Sequence, residues 1–211
     1  METVNQRQPK NLAPQPIGRR FLVVPATVDP PPDTGRSVLR IDAGSAFGDG
    51  AHPTTQLCLA ALERHCTPGA LIDLGAGTGI LSIAAARLGA APVLGVDIDA
   101  ASVAIARANV ERNDVAGAVR MEEGSLADVL AGRFGLARAR LVVANILANV
   151  LVDFFAAGLV ETVEAGGLLV LSGVLRTQGP EIRARLGWHG LTLAAEERRD
   201  DWLCVIARKG A

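Results

Sequence analysis

One stretch constrains the fold more than any other. Leu71-Ile72-Asp73-Leu74 is a short apolar run that leads into Gly75-Ala76-Gly77-Thr78-Gly79. An alanine-rich segment follows, before Gly95-Val96-Asp97-Ile98-Asp99. An apolar strand, a glycine-rich turn, a helix and a second apolar strand ending on acid make one βαβ unit with a nucleotide-type pocket at its mouth. Gly75, Gly77 and Gly79 leave backbone where side chains would otherwise stand, so a ligand can come close to the chain. The helix that starts near Gly79 turns its free amides toward the same place. Asp97, at the tip of the second strand, can accept both hydroxyls of a ribose.

Two cofactor classes compete for such a unit. A dinucleotide fingerprint places its third glycine three residues after the second, and that position here is Ile80. The third glycine comes early, at Gly79, and Asp73 sits two residues before the first. Acid-x-Gly-x-Gly-x-Gly resembles the first motif of the class I S-adenosylmethionine methyltransferases. That resemblance implies S-adenosyl-L-methionine as cofactor, with Asp73, Gly75, Gly77, Gly79 and Asp97 around it. The plain alternative is an αβ turn with no ligand, and the acids on either side of the turn weigh against it.

The rest of the chain continues the alternation. Strands are expected at Leu71–Leu74, Val93–Val96, Val119–Glu122, Leu141–Ala144 and Leu168–Leu171. Helices are expected at Ile80–Leu88, Ala101–Arg112, Val150–Val163 and Gln178–Leu186, with a helical turn at Leu126–Leu130. Leu191–Glu197 and Trp202–Ala207 read as an antiparallel pair. The fold class is α/β: a Rossmann-like, doubly wound, seven-stranded sheet covered on both faces, ending in an antiparallel hairpin. Met1 to Arg20 is polar and lacks apolar periodicity, so it reads as a flexible tail, and residues 21–211 read as a single domain. Phe21–Val24 and Ser37–Ile41 look like two short strands leading into the main sheet.

Other candidate site residues follow from where ligands bind in such sheets, beyond the carboxyl ends of the strands. Asn145 follows the Leu141–Ala144 strand and can orient a nucleophile or the cofactor's amino-acid portion; helix capping explains it equally well. Ser125, after the third strand, is the polar candidate beside an adenine, and Ser172-Gly173 could form a pocket wall. Upstream, Gly44, Gly48 and Gly50 make a loop, and Pro53 suits the first turn of a helix. Thr54 and Thr55 then lie at a helix N-terminus, either holding a polar ligand group or simply capping. Trp188 and Trp202 read as core or edge packing, and the charge run Glu196 to Asp201 as a solvated hairpin.

Composition narrows the partners. A net charge of −1 gives no reason to expect direct nucleic-acid binding or an anionic membrane surface. Cys58, Cys66 and Cys204 have no paired spacing and His52, His65 and His189 are scattered, so neither a disulfide framework nor a metal site is expected. No apolar run approaches membrane-spanning length and no signal pattern opens the chain, so a cytoplasmic protein is expected. The chain has no tyrosine, which excludes tyrosine acid–base chemistry.

Taken together, Phe47-Gly48-Asp49-Gly50-Ala51-His52-Pro53-Thr54-Thr55, the glycine motif with Ile80-Leu81, Gly95-Val96-Asp97-Ile98-Asp99 and Ala144-Asn145-Ile146-Leu147-Ala148 resemble the PrmA family. These are bacterial methyltransferases acting on amino groups of a large-subunit ribosomal protein. The resemblance implies cofactor contacts from Thr55, Gly75, Asp97 and Asn145, and a protein substrate, a ribosomal protein or another lysine-bearing one. Asp49 stands where the family usually has threonine, in a loop that resembles a lid. The family also carries an N-terminal docking domain, for which the residues before Phe47 are too few, so that module is expected to be absent.

The chemistry expected is in-line methyl transfer from the cofactor's sulfonium to a neutral amine, oriented by Asn145 as the catalytic residue, with Asp49 as a polar lid contact. No general base is evident. A small-molecule acceptor stays open as an alternative within the fold. Outside it stand an NAD-dependent oxidoreductase and a non-catalytic cofactor-binding regulatory module.

Overall fold

A computed structural model of the chain describes residues 13–211. The main sheet has seven strands in the order β6-β5-β4-β7-β8-β10-β9. These are β4 (Gly69–Leu74), β5 (Ala90–Asp97), β6 (Val119–Glu123), β7 (Ala139–Asn145), β8 (Val163–Leu175), β9 (Leu191–Arg199) and β10 (Trp202–Lys209). Strands β4 to β8 run parallel to their neighbours among themselves. Strand β10 is antiparallel to both β8 and β9, so the expected antiparallel hairpin closes the sheet.

Two-residue alternation along the strands divides the interior into two cores. Leu71, Val93, Leu141, Val143, Val170 and Ile206 point to one face, which is covered by α1 (Pro53–His65), α2 (Ile80–Arg87) and α3 (Ala100–Arg112). Ile72, Leu94, Val142, Leu169 and Val205 point to the other, covered by α4 (Leu126–Leu130), α5 (Ala148–Ala156) and α6 (Gly179–Trp188). Strands with apolar residues on both faces are what a doubly covered parallel sheet demands, and that demand is why they were legible as runs.

Three expectations need correcting. Part of the stretch read as a tail is ordered: Gln15–Ile17 forms β1, pairing antiparallel with β2 (Phe21–Pro25), while residues 1–12 lie outside the described residues. Its polar composition hid it, because its anchor is backbone pairing and the Glu63 carboxylate, which accepts the N–H groups of Arg19 and Arg20. Secondly, β2 and β3 (Ser37–Ile41) do not lead into the main sheet. They pair parallel with each other and, with β1, make a separate three-stranded sheet packed against the α1–α3 side.

Thirdly, the helix expected over Val150–Val163 stops at Ala156. Gly158 takes a left-handed conformation (φ 98°), a 3-10 turn covers Leu159–Thr162, and β8 begins at Val163. The apolar run misled because Leu159 and Val163 bury into the same core as Leu151 and Phe155. Among the described residues no helix is long and apolar enough to cross a membrane.

Candidate active site at the carboxyl edge of the sheet

The carboxyl ends of β4, β5 and β7 open into one cavity of about 540 Å³. Its polar wall is built from Gly75 and Gly77, Asp97, Ser125, Asn145, and His52 and Thr54 at the start of α1. The two glycines belong to the turn after β4, where the Gly75 and Ala76 amides donate to the Val96 carbonyl at 2.9 and 3.0 Å. That closes the ends of the two central strands against each other.

Asp97 is held in place by its own neighbours. Its Oδ2 accepts the Gly77 N–H at 2.9 Å and its Oδ1 accepts the Asp99 N–H at 3.0 Å. Each oxygen keeps lone-pair capacity for a further donor, and the carboxylate stands in the cavity wall. Asp99, in turn, caps α3 through the Ala101 and Ser102 amides and the Ser102 hydroxyl.

The turn also holds the Phe47 loop, the segment expected to act as a lid. Gly77 has φ 54°, and a Cβ there would run into the Phe47 carbonyl oxygen. That oxygen instead accepts the Thr78 N–H at 2.9 Å, and the Thr78 hydroxyl donates to the Gly48 carbonyl at 2.7 Å. The base of the lid is fixed by Asn109 on α3, which is fully buried. Its Nδ2 donates to the Asp42 and Thr78 carbonyls and its Oδ1 accepts the Asp42 N–H. Asp49 does not reach into the cavity wall; its carboxylate accepts the Ala51 N–H at 2.9 Å and shapes the loop.

His52, not a threonine, is the N-cap of α1. Its Nδ1 accepts the Thr54 N–H at 3.3 Å. The same nitrogen lies 2.8 Å from the Thr54 hydroxyl, so that hydroxyl donates to it and the imidazole is neutral at this nitrogen. Burial lowers the His52 pKa, opposed by the nearby Asp49 charge.

Asn145 does not cap α5; Leu147 occupies the N-cap position. Its Nδ2 lies 3.5 Å from the Thr55 hydroxyl, at the limit of a hydrogen bond, and its buried Oδ1 has no partner. A buried amide oxygen left without a donor is uncommon, and here it belongs to a residue of the cavity wall. Backbone packing holds it there: Gly173 has φ 82°, and a Cβ on it would strike the Ile146 backbone.

Three of the expected site residues lie behind the wall. Thr55 is buried beneath Asn145, and Gly79 caps α2 with a left-handed φ of 78°. Asp73 is 1% exposed, with Oδ2 accepting the Ser82 hydroxyl at 2.7 Å and Oδ1 without a partner. Burial pushes its pKa up to about 7, the Ser82 hydrogen bond pulls against that, and the Asp97 charge adds to it. Ser125 lines the cavity, though its N–H and hydroxyl both donate to Asp128 Oδ2 at 2.8 Å.

An apolar rim completes the site, and residue-by-residue reading had not found it. Phe47 is 53% exposed, Ile98 79% and Leu147 64%, yet all three come from different loops to the same mouth. Trp202, expected as packing, lines the cavity too, and His52 links it edge-on to Phe47 with ring centroids 5.0 and 5.2 Å apart. Trp188 is not packed in a core; it is 73% exposed. The available signal was position: Ile98 and Leu147 are apolar residues just past the ends of β5 and β7, where strand periodicity has already ended.

Sheet order, glycine turn, cavity-lining acid and polar carboxyl edge define a class I methyltransferase fold, not a dinucleotide-binding oxidoreductase. A family model described as "Ribosomal protein L11 methyltransferase (PrmA)" matches residues 4–210. The chain belongs to that family. A ribosomal protein L11 methyltransferase of Pelobacter propionicus is 40% identical over 208 residues, which are 95% of this chain and 65% of that protein.

The chain thus spans less than two thirds of the curated relatives it matches. The crystal structure of a ribosomal protein L11 methylase from Lactobacillus delbrueckii subsp. bulgaricus superposes with a TM-score of 0.83 at 31% identity, covering 94% of this chain and 99% of that one. An RNA methyltransferase from Salinibacter ruber, solved in complex with S-adenosyl-L-homocysteine, shares the fold at 22% identity and a TM-score of 0.53, covering 71% of this chain and 87% of that one.

Proposed function

We propose that this chain transfers methyl groups from S-adenosyl-L-methionine to amino groups of a protein, with ribosomal protein L11 or another lysine-bearing protein as acceptor. The observation that carries the reading is Asn145: a buried amide oxygen without a partner, in the wall of the cavity that Asp97 also lines. The cavity fits the cofactor's chemistry. Asp97 offers acceptors to ribose hydroxyls, Gly75 and Gly77 leave backbone bare, and Ile98 and Leu126 give apolar surface for a base. Bound there, the cofactor supplies a methyl group already activated by its sulfonium.

The chain's own residues then position the acceptor and strip it of water. The Asn145 amide oxygen accepts an amine N–H, which orients the nitrogen lone pair without consuming it. Phe47, Leu147 and Trp202 enclose the mouth, and an amine in such surroundings loses its proton more readily. The Thr54 hydroxyl donates its hydrogen bond to His52 Nδ1, so as its oxygen takes the proton the amine sheds, its own proton passes to that imidazole nitrogen. An acceptor group of this kind was not apparent in the sequence.

The test is transfer of labelled methyl groups from S-adenosyl-L-methionine to purified ribosomal protein L11. Incorporation into lysine or the N-terminal amine supports the proposal. Cofactor binding with no transfer to L11 or to any protein of a bacterial lysate would instead make the chain a non-catalytic binding module.

A further inference from the structure

A second cleft of about 380 Å³ lies beside the first, lined by Arg176, Arg183, Glu196, Arg198, Asp201 and Leu203, together with Thr177. The two come close along the chain: Trp202 lines the first cavity, and its neighbours Asp201 and Leu203, with Leu203 turned to the opposite face of the sheet, line the cleft. On the β8 side, Gly173 lines the cavity and Arg176 the cleft, three residues on. Separations of one to three residues along the chain, at most about 10 Å, put this cleft within reach of the residues flanking a lysine that enters the cavity.

The charge run Glu196 to Asp201 is not simply a solvated hairpin. The Glu196 side chain is only 13% exposed. Its Oε2 accepts Arg183 Nη1 at 2.6 Å, and its Oε1 accepts Arg198 Nε and Nη2 at 3.1 and 2.9 Å. That carboxylate is saturated, and the bonds to the two guanidiniums hold its pKa down against its burial. Its structural effect is to fix two forked donors around the cleft while each keeps N–H groups to spare. Arg176 adds a third guanidinium with no side-chain partner among the described residues. Three guanidiniums face two carboxylates, of which Glu196 is already engaged, so the cleft has an excess of oriented cationic donors.

We propose that this cleft is a specificity subsite of the methyltransferase reaction, which takes a carboxylate side chain of the protein substrate lying close in sequence to the acceptor lysine. The inference rests on the methyl-transfer reading above for its substrate, but not for the binding event itself. A carboxylate suits the forked donors, whereas a nucleic-acid backbone would bring successive phosphates against Asp201 and Glu196. Leu203, 2% exposed, closes the base of the cleft.

The experiment uses the full chain loaded with S-adenosylhomocysteine, carrying Trp188→Phe so that Trp202 alone reports fluorescence. Short lysine peptides with glutamate one to four positions from the lysine are titrated against matching glutamine peptides. At least one glutamate peptide is expected to bind about tenfold more tightly than its glutamine partner, and Arg176→Glu is expected to abolish that preference. In parallel, Arg176→Gln should raise KM for L11 about tenfold while leaving kcat and cofactor affinity unchanged. Equal binding of both peptide sets, or tighter binding of a single-stranded oligonucleotide that Arg176→Glu removes, would overturn the subsite. Failure of the wild-type chain to methylate L11 would overturn the acceptor assignment alone, since the peptide preference is read without turnover. Arg183→Gln frees Glu196 and serves as a fold-sensitive control, with circular dichroism distinguishing loss of folding from loss of preference.

Discussion

At the scale of single residues, two side chains carry opposite kinds of unsatisfied burial. Asn145 lines the cavity with its amide oxygen buried and unpaired within the protein. Replacing it with alanine removes the group that orients the acceptor, and misplacement of reacting atoms of this sort costs about a hundredfold in rate. Single-turnover rates of Asn145→Ala are therefore expected to fall about a hundredfold, with the protein still folded; a rate near wild type would refute its role.

Asp73 is unsatisfied where no ligand reaches it. Its folded-state pKa is raised to about 7, well above the ordinary value of 3.8. Its favourable contribution to stability is thus complete below about pH 4 and is lost as pH rises through about 7, because the unfolded chain gives up the proton more readily. Asp73→Asn cannot ionise, so its melting temperature relative to wild type is expected to climb across that window. A constant difference across the window would contradict a raised Asp73 pKa.

At the scale of elements, the loop expected to act as a lid is latched to the glycine turn. Thr78 holds the Phe47 and Gly48 carbonyls, Gly77 permits the approach, and Asn109 ties the lid's base to the same turn. Gly77→Ala places a Cβ against the Phe47 carbonyl on a left-handed backbone, so the lid must lift. Cofactor affinity is expected to drop at least tenfold, with new protease cleavage between Ile41 and Pro53; unchanged affinity would show that the latch is not needed.

Much of this was legible from sequence where physics is local. The glycine turn, Asp97 and the strand runs announce themselves because ribose recognition and double-sided burial need fixed residue types at fixed spacing. Strand β1 was not legible, since backbone pairing and one glutamate three turns into a distant helix hold it. The true end of α5 was masked by apolar residues that continue past the helix into the same core.

At the scale of the whole molecule, the site exists only because distant segments meet. His52 precedes the βαβ unit, Asn145 follows it, and Trp202 lies near the far end of the chain, yet all three line one cavity. The rim escaped sequence reading for this reason: Phe47, Ile98, Leu147 and Trp202 show no shared periodicity, and only the sheet order assembles them. The same order brings the arginine cleft near the cavity, which Trp202 lines while its neighbours Asp201 and Leu203 line the cleft. Fold, cavity and cleft therefore stand on one arrangement of strands, whose central claim is that Asp97 and the glycine turn hold S-adenosyl-L-methionine.

Calorimetric titration of the full chain with S-adenosyl-L-methionine, beside NADH and with Asp97→Ala as control, addresses that claim most directly. Stoichiometric binding of S-adenosyl-L-methionine, no binding of NADH, and at least a tenfold loss of affinity in Asp97→Ala are expected. Binding of NADH in its place, or S-adenosyl-L-methionine affinity indifferent to the loss of the Asp97 carboxylate, would contradict the claim.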